Sequence, residues 1–245
     1  MSKVQFSVLC NYPSIVSRDC ITLGILFYNI TESVCIFKKI QNWKRVASFN
    51  DELDIEIVKL QLESIEEEIN DFAKEKDFDL KKYTKFYVNQ LKFTEVFTAD
   101  IEIDFHDFVE QCTRQYMPMD LAKDKRPREK EQRDFIKNVL KTSNKNYRNG
   151  NIVGNFNDNI RFDFIIKDYA FKYFMLKNKE EQDVLRSIKR WVYDAYQLKN
   201  KYKVIFVTDI NLKSNNKYKN IYNMLSKEGE KVIDFQDILT FAQKI

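Results

Sequence analysis

Few residues in this chain of 245 are of types and spacings that could do chemistry. Its one histidine, His106, stands between Asp104 and Asp107. A histidine works as an acid or base when a nucleophile or a metal set stands beside it. The sequence offers neither, so His106 is expected as a surface or capping residue at the start of a helix. Cys10, Cys20, Cys35 and Cys112 are scattered with no C-x-x-C pair. With one histidine they build no zinc constellation, so no metal and no other cofactor is expected. In a reducing compartment they are expected to be buried thiols that pack as small hydrophobes.

Charge is the remaining resource, and it is unevenly spread. From Asp51 to Leu80 twelve acidic residues face three basic ones, and from Asp120 to Arg148 ten basic residues face five acidic. The basic stretch holds Lys123, Lys125, Arg126, Arg128, Arg133 and Lys137. Such residues bind phosphates by releasing counterions, or else simply keep a linker solvated. The acidic stretch, with Glu66, Glu67 and Glu68, reads as a solvated helix face or as a contact face for a protein partner.

The elements that must position these residues follow from periodicity. Strands are expected over Val4 to Leu9, Ile21 to Tyr28, Ser33 to Lys39, Gln90 to Thr94 and Val96 to Ile103. A helix capped by Asn50 or Asp51 should run to about Lys76, with Ile57, Leu60, Leu62, Ile65, Ile69 and Phe72 on its apolar face. Asp104 should cap a second helix through Tyr116. Pro118, Pro127 and the charge run between them mark a linker over 119–130, dividing a domain 1–118 from a domain 131–245. Beyond it come a helix to about Thr142, a hairpin of Asn151 to Phe156 and Ile160 to Lys167 about the turn Asn157-Asp158-Asn159, and a third strand, Tyr169 to Leu176. In the second hairpin arm, alternation puts Ile160, Phe162, Phe164 and Ile166 on one face and Arg161, Asp163 and Ile165 on the other. A long amphipathic helix, Glu180 to Lys199, leads to the all-apolar run Val204 to Val207, the signature of a strand covered on both faces. A helix ending at Gly229, a strand Val232 to Phe235 and a closing helix complete the chain. The fold class is therefore α/β, with an α+β first domain and a second domain of mixed sheet flanked by helices. The 44% hydrophobic and 14% aromatic content is that of a chain that buries a core. No apolar run is long enough to span a membrane, and nothing at the N-terminus reads as a signal peptide, so a cytoplasmic protein is expected.

The ordered pattern Phe6-Ser7-Val8-Leu9, Tyr12-Pro13, Val16, Arg18-Asp19 and Gly24-Ile25-Leu26-Phe27, with Leu91-Lys92-Phe93-Thr94 later, resembles the bacterial family catalogued as domain of unknown function 3037. The resemblance covers about residues 1–118. Asn11 stands where the family has its first arginine, Asp19 replaces a glutamate and Thr22 an asparagine. It implies a fold unit without established chemistry. Arg18 and Asp19 become a candidate polar site where the chain runs into the second strand.

The order helix, three strands, long helix, strand, helix in the second half is similar to the core of the PD-(D/E)XK nuclease superfamily. That similarity implies an Asp on the second strand and Glu-x-Lys on the third, carboxylates that hold Mg²⁺ and a lysine that steadies phosphoryl charge. Asp163 and Lys172 fall at those positions, but Ala170-Phe171-Lys172 stands where Glu-x-Lys is needed, so the two are vestigial candidates. Asp158, Asp168 or Glu131 would have to supply the missing ligand in an active Mg²⁺-dependent nuclease. The expected function is non-enzymatic: a protein of a bacterial mobile element, phage or defence setting that binds nucleic acid or a partner protein. A protein-directed inhibitor or antitoxin-like partner is the remaining alternative.

Overall fold

A computed structural model describes residues 1–14, 19–72, 78–154, 157–177, 179, 181–213 and 216–245. The chain is mixed α/β and divides into two compact units, Met1–Ser143 and Asn144–Ile245. That division falls later than the expected linker. Residues 118–125 form two short 3-10 turns, and the helix after them packs in the first unit.

In the first unit strands β1 (Ser2–Asn11), β2 (Ile21–Asn29) and β3 (Val34–Lys39) form an antiparallel meander. Helix α1 (Trp43–Phe49), absent from the sequence expectation, precedes α2 (Ile55–Phe72), and α3 (Leu80–Thr84) follows. The short strands β4 (Leu91–Phe93) and β5 (Phe97–Ile101) then share the free edge of β1, β4 beside Leu9 to Asn11 and β5 beside Ser2 to Phe6. Helices α4 (Phe105–Tyr116) and α5 (Glu129–Ser143) complete the unit, α4 against β1 and β2 and α5 against β5. Phe6 is the hub of the core, with Phe27, Phe97, Phe108 and Tyr116 around it at 5.5 to 6.1 Å between ring centres.

Helix α2 corrects the sequence reading in two ways. Its cap is Asp54, whose Oδ1 accepts the amides of Glu56 and Ile57, because the residues after Asn50 are a turn. Its buried stripe is Val58, Leu62, Ile65 and Ile69, while Ile57 and Leu60 are 53% and 65% exposed. Apolar residues sit on both sides of this helix, so periodicity alone could not choose the buried one. The expected end at Lys76, the hairpin end at Phe156 and the helix start at Glu180 lie outside the described residues.

The second unit opens with β6 (Tyr147–Arg148), a two-stranded hairpin of β7 (Asn151–Val153) and β8 (Asn159–Arg161), then β9 (Phe164–Ile166) and β10 (Tyr169–Phe174). Asn157 takes the left-handed φ of 63° in the hairpin turn, as an asparagine can. Gly150 packs against the Phe162 backbone so closely that a Cβ would collide with its carbonyl. Next come α6 (Glu181–Leu198), β11 (Lys203–Thr208), α7 (Lys219–Glu228), β12 (Lys231–Asp234) and α8 (Ile238–Lys244). The five-stranded sheet has the order β12-β11-β10-β9-β6, parallel from β10 to β12 and antiparallel from β10 to β6.

The expected three-stranded meander is not one sheet. β8 pairs only with β7 among the described strands, and the chain changes sheets at Phe162-Asp163. The bend also inverts the parity of the arm. Phe162 and Ile165 join the core beneath α6, whereas Phe164 stacks on Phe171 on the opposite face. Phe162 and Phe164 therefore do not share a side, and Ile165 is as buried as its neighbours. The run Val204 to Val207 is buried throughout, with Val204 and Phe206 in one core with residues of α6 and α7.

Candidate nucleic-acid interface

Asp163 and Lys172 meet. Asp163 sits in the bend before β9, where its amide donates to the Phe171 carbonyl at 2.9 Å and its carboxylate accepts the Tyr173 amide at 2.9 Å. Lys172, on β10, brings Nζ to 3.6 Å from that carboxylate and 3.4 Å from the Arg161 carbonyl. The same ammonium lies 4.2 Å from the centre of the Trp191 ring on α6, and Trp191 stands edge-on to Phe162. The two side chains are 14% and 21% exposed, so this is a largely sheltered ion pair.

Its surroundings are those of a structural clasp. Ala170, two residues before Lys172, is fully buried in the core with Val204 and Phe206. Asp168 pairs with Lys203 at 3.1 Å, and Lys203 holds the Asp168 carboxyl below the usual carboxylate range. Glu131 belongs to the first unit, where it accepts from Arg114 at 3.2 Å and from the Arg128 amide. Among the described residues no three of His, Cys, Asp and Glu gather as a group that could hold a metal ion. Asp163→Ala removes the acceptor of the Tyr173 amide and the carboxylate beside Lys172. The expected cost in denaturant unfolding is about 2–3 kcal/mol.

The basic run of the first unit is interrupted by acids. Lys123, Lys125 and Arg128 are exposed, with Asp124, Glu129 and Glu131 exposed among them. Arg126 turns its Nε onto the Leu121 carbonyl at 3.3 Å and is half-buried. Arg133 pairs with Glu129 at 3.6 Å, and Lys137 is half-buried on α5. Arg18 lies outside the described residues, and Asp19 is exposed next to Cys20. His106 donates its amide to Asp104, the helix cap. In the acidic helix Glu66 pairs with Lys39, and Glu68 accepts from the Tyr83 hydroxyl at 3.0 Å.

A denser cationic surface lies on α6. Val184, Ile188, Ala195 and Leu198 are buried on its inner side. Arg186, Lys189, Arg190, Tyr193 and Tyr196 recur at three and four on the other and are all exposed, Tyr193 by 53% and Tyr196 by 64%. Asp194, beside them, is 6% exposed and 4.0 Å from Arg190. Burial pushes its carboxyl pKa up, against the pull of Arg190. Two bare tyrosine rings among three cations offer both stacking planes and phosphate partners. Sequence reasoning followed only the apolar side of this helix, although the outer side shows the same period.

The chain matches no family model, no curated protein and no solved structure when compared with each.

Proposed function

We propose that this chain is a non-catalytic nucleic-acid-binding protein whose second unit grips the phosphate backbone through the outer face of α6. The observation that carries the reading is the stripe Arg186, Lys189, Arg190, Tyr193 and Tyr196, basic and aromatic on one helical side and exposed throughout. Cations on a rigid helix neutralise successive phosphates, and the tyrosines accept unstacked bases whatever their sequence. The second half is read as non-catalytic because Ala170 stands where the nuclease pattern needs an acid. The mutual engagement of Asp163 and Lys172 supports that view, because each already satisfies the other.

Binding should be weakly dependent on sequence and fall steeply with salt, by about 0.9 in log affinity per log salt for each phosphate met on a duplex. Incubation with Mg²⁺ or Mn²⁺ should leave DNA and RNA intact. Metal-dependent cleavage would replace this reading with the nuclease one. A second reading, protein binding, draws on the first unit. There a groove of about 510 Å³ exposes Ile57, Phe86 and Val88 beside Glu52 and Asp54, with Phe86 81% exposed. It takes precedence if nucleic acid is not retained at any salt concentration.

A further inference from the structure

The expectation that all four cysteines are buried spacers fails at Cys20, and its place in the first unit carries a consequence independent of nucleic-acid binding. Cys10 lies on β1 opposite Thr22 of β2, with Sγ 4.0 Å from the Thr22 hydroxyl. The ladder continues with Asn11 opposite Ile21, so the chain brings Cys20 diagonally across from Cys10 on the same side of the sheet, beside Tyr12. The side chains of Cys10 and Cys20 lie close enough to interact with each other, and Tyr12 reaches both. Cys10 is 4% exposed, whereas Cys20 is half-buried and lines a cleft of about 580 Å³ with Thr22, Ile40, Arg45, Tyr116 and Met119. One thiol of the pair is therefore open to small solutes and the other is sheltered behind it.

We propose that Cys10 and Cys20 are a peroxide-sensitive dithiol that closes to a disulfide at the wall of this cleft. The Cys20 thiolate attacks one oxygen of a hydroperoxide and breaks the O–O bond. The sulfur is oxidised to a sulfenic acid, and the other oxygen leaves as water or alcohol. The Cys10 sulfur then attacks the Cys20 sulfur, displacing the sulfenic oxygen, which departs as water with the Cys10 proton. Two thiols and one hydroperoxide thus give one disulfide, one water and one further water or alcohol. The division of labour follows from the surroundings. The neighbouring Cys10 and Tyr12 lower the Cys20 thiol pKa, against burial and the Asp19 charge. The Cys10 thiol is pushed up, first by the neighbouring Cys20 and then by burial. Burial also raises Cys35, to about 12, and Cys112, so these two serve as internal references.

The test uses the full chain. It is treated with hydrogen peroxide, alkylated under denaturing conditions and cut with trypsin, which separates Cys10 from Cys20 by cleaving after Arg18. A Cys35→Ser variant is run beside the wild type, because the peptide 19–38 carries both Cys20 and Cys35. Peptides 4–18 and 19–38 should be recovered joined in both proteins, and reduction should separate them. Cys10→Ser should stop at a sulfenic acid on Cys20 that dimedone traps, and Cys20→Ser should leave Cys10 fully alkylated. If Cys10→Ser fails to fold, the cross-linked peptide of the wild type decides alone. Recovery of Cys10 alkylated after peroxide treatment, whether Cys20 is untouched or carried on to the sulfinic acid, would overturn the proposal.

Discussion

Replacing Arg186 and Lys189 together by alanine should flatten the salt dependence of duplex binding by roughly 2 units in log affinity against log salt, about 0.9 for each phosphate contact removed. Both side chains are exposed on α6, so the fold should be unaffected and the loss should belong to binding alone. Arg190 is left in place because it is the cation beside the buried Asp194 carboxylate. Tyr193→Ala should act differently. It should weaken single-strand binding by about 1–3 kcal/mol if a base stacks there, and touch duplex binding little. Alanine at Lys125 and Arg128 in the first unit is the comparison. Should the slope fall there and persist in the α6 variant, the phosphate path runs through the basic run after α4.

Phe171→Ala should be the most destabilising single change in the second unit, at about 3–5 kcal/mol in denaturant unfolding. Phe171 is fully buried on the central strand β10, stacked on Phe164 with ring centres 4.5 Å apart and met edge-on by Phe241 of α8. Removing its ring opens a cavity between the sheet and α8 that strand backbones cannot close. A loss of that size is a large fraction of the stability of a small folded unit. Phe86→Ala, at a ring 81% exposed, should shift the midpoint little, within about 0.5 kcal/mol. Near-equal midpoints for the two variants would mean that the aromatic layer beneath α8 is not the core described above.

What the sequence disclosed was local. Val204 to Val207 announced a strand covered on both faces because four consecutive apolar residues leave no side for water. Asp104 was legible as a cap from its position before an amphipathic run, and Asn157 as a turn residue from its tolerance of positive φ. What it hid was tertiary. Helix α5 shows an apolar stripe, Phe135, Ile136, Val139 and Leu140, that would suit either unit, and its packing on β5 groups it with the first compact unit, Met1–Ser143. Asp163 was read as a strand residue because alternation on either side of it looks continuous. The switch of sheets that reverses parity there has no local mark. Bringing Asp163 to Lys172 was foreseeable from their places on neighbouring strands, but Trp191 joining them depends on how α6 crosses β10. Cys20 was grouped with the buried thiols because a cysteine's exposure follows from the cleft beside it, which only the fold assembles.

The most direct test of nucleic-acid binding is fluorescence anisotropy of a labelled duplex titrated with the full chain over a series of KCl concentrations. Three cations on α6 predict a linear fall of log affinity with log salt, with a slope of about −2 to −3, and an uncut duplex after Mg²⁺ is added. The Arg186→Ala, Lys189→Ala variant should bring that slope close to −1. An absence of binding at the lowest salt, or a slope unchanged in the variant, would contradict the account.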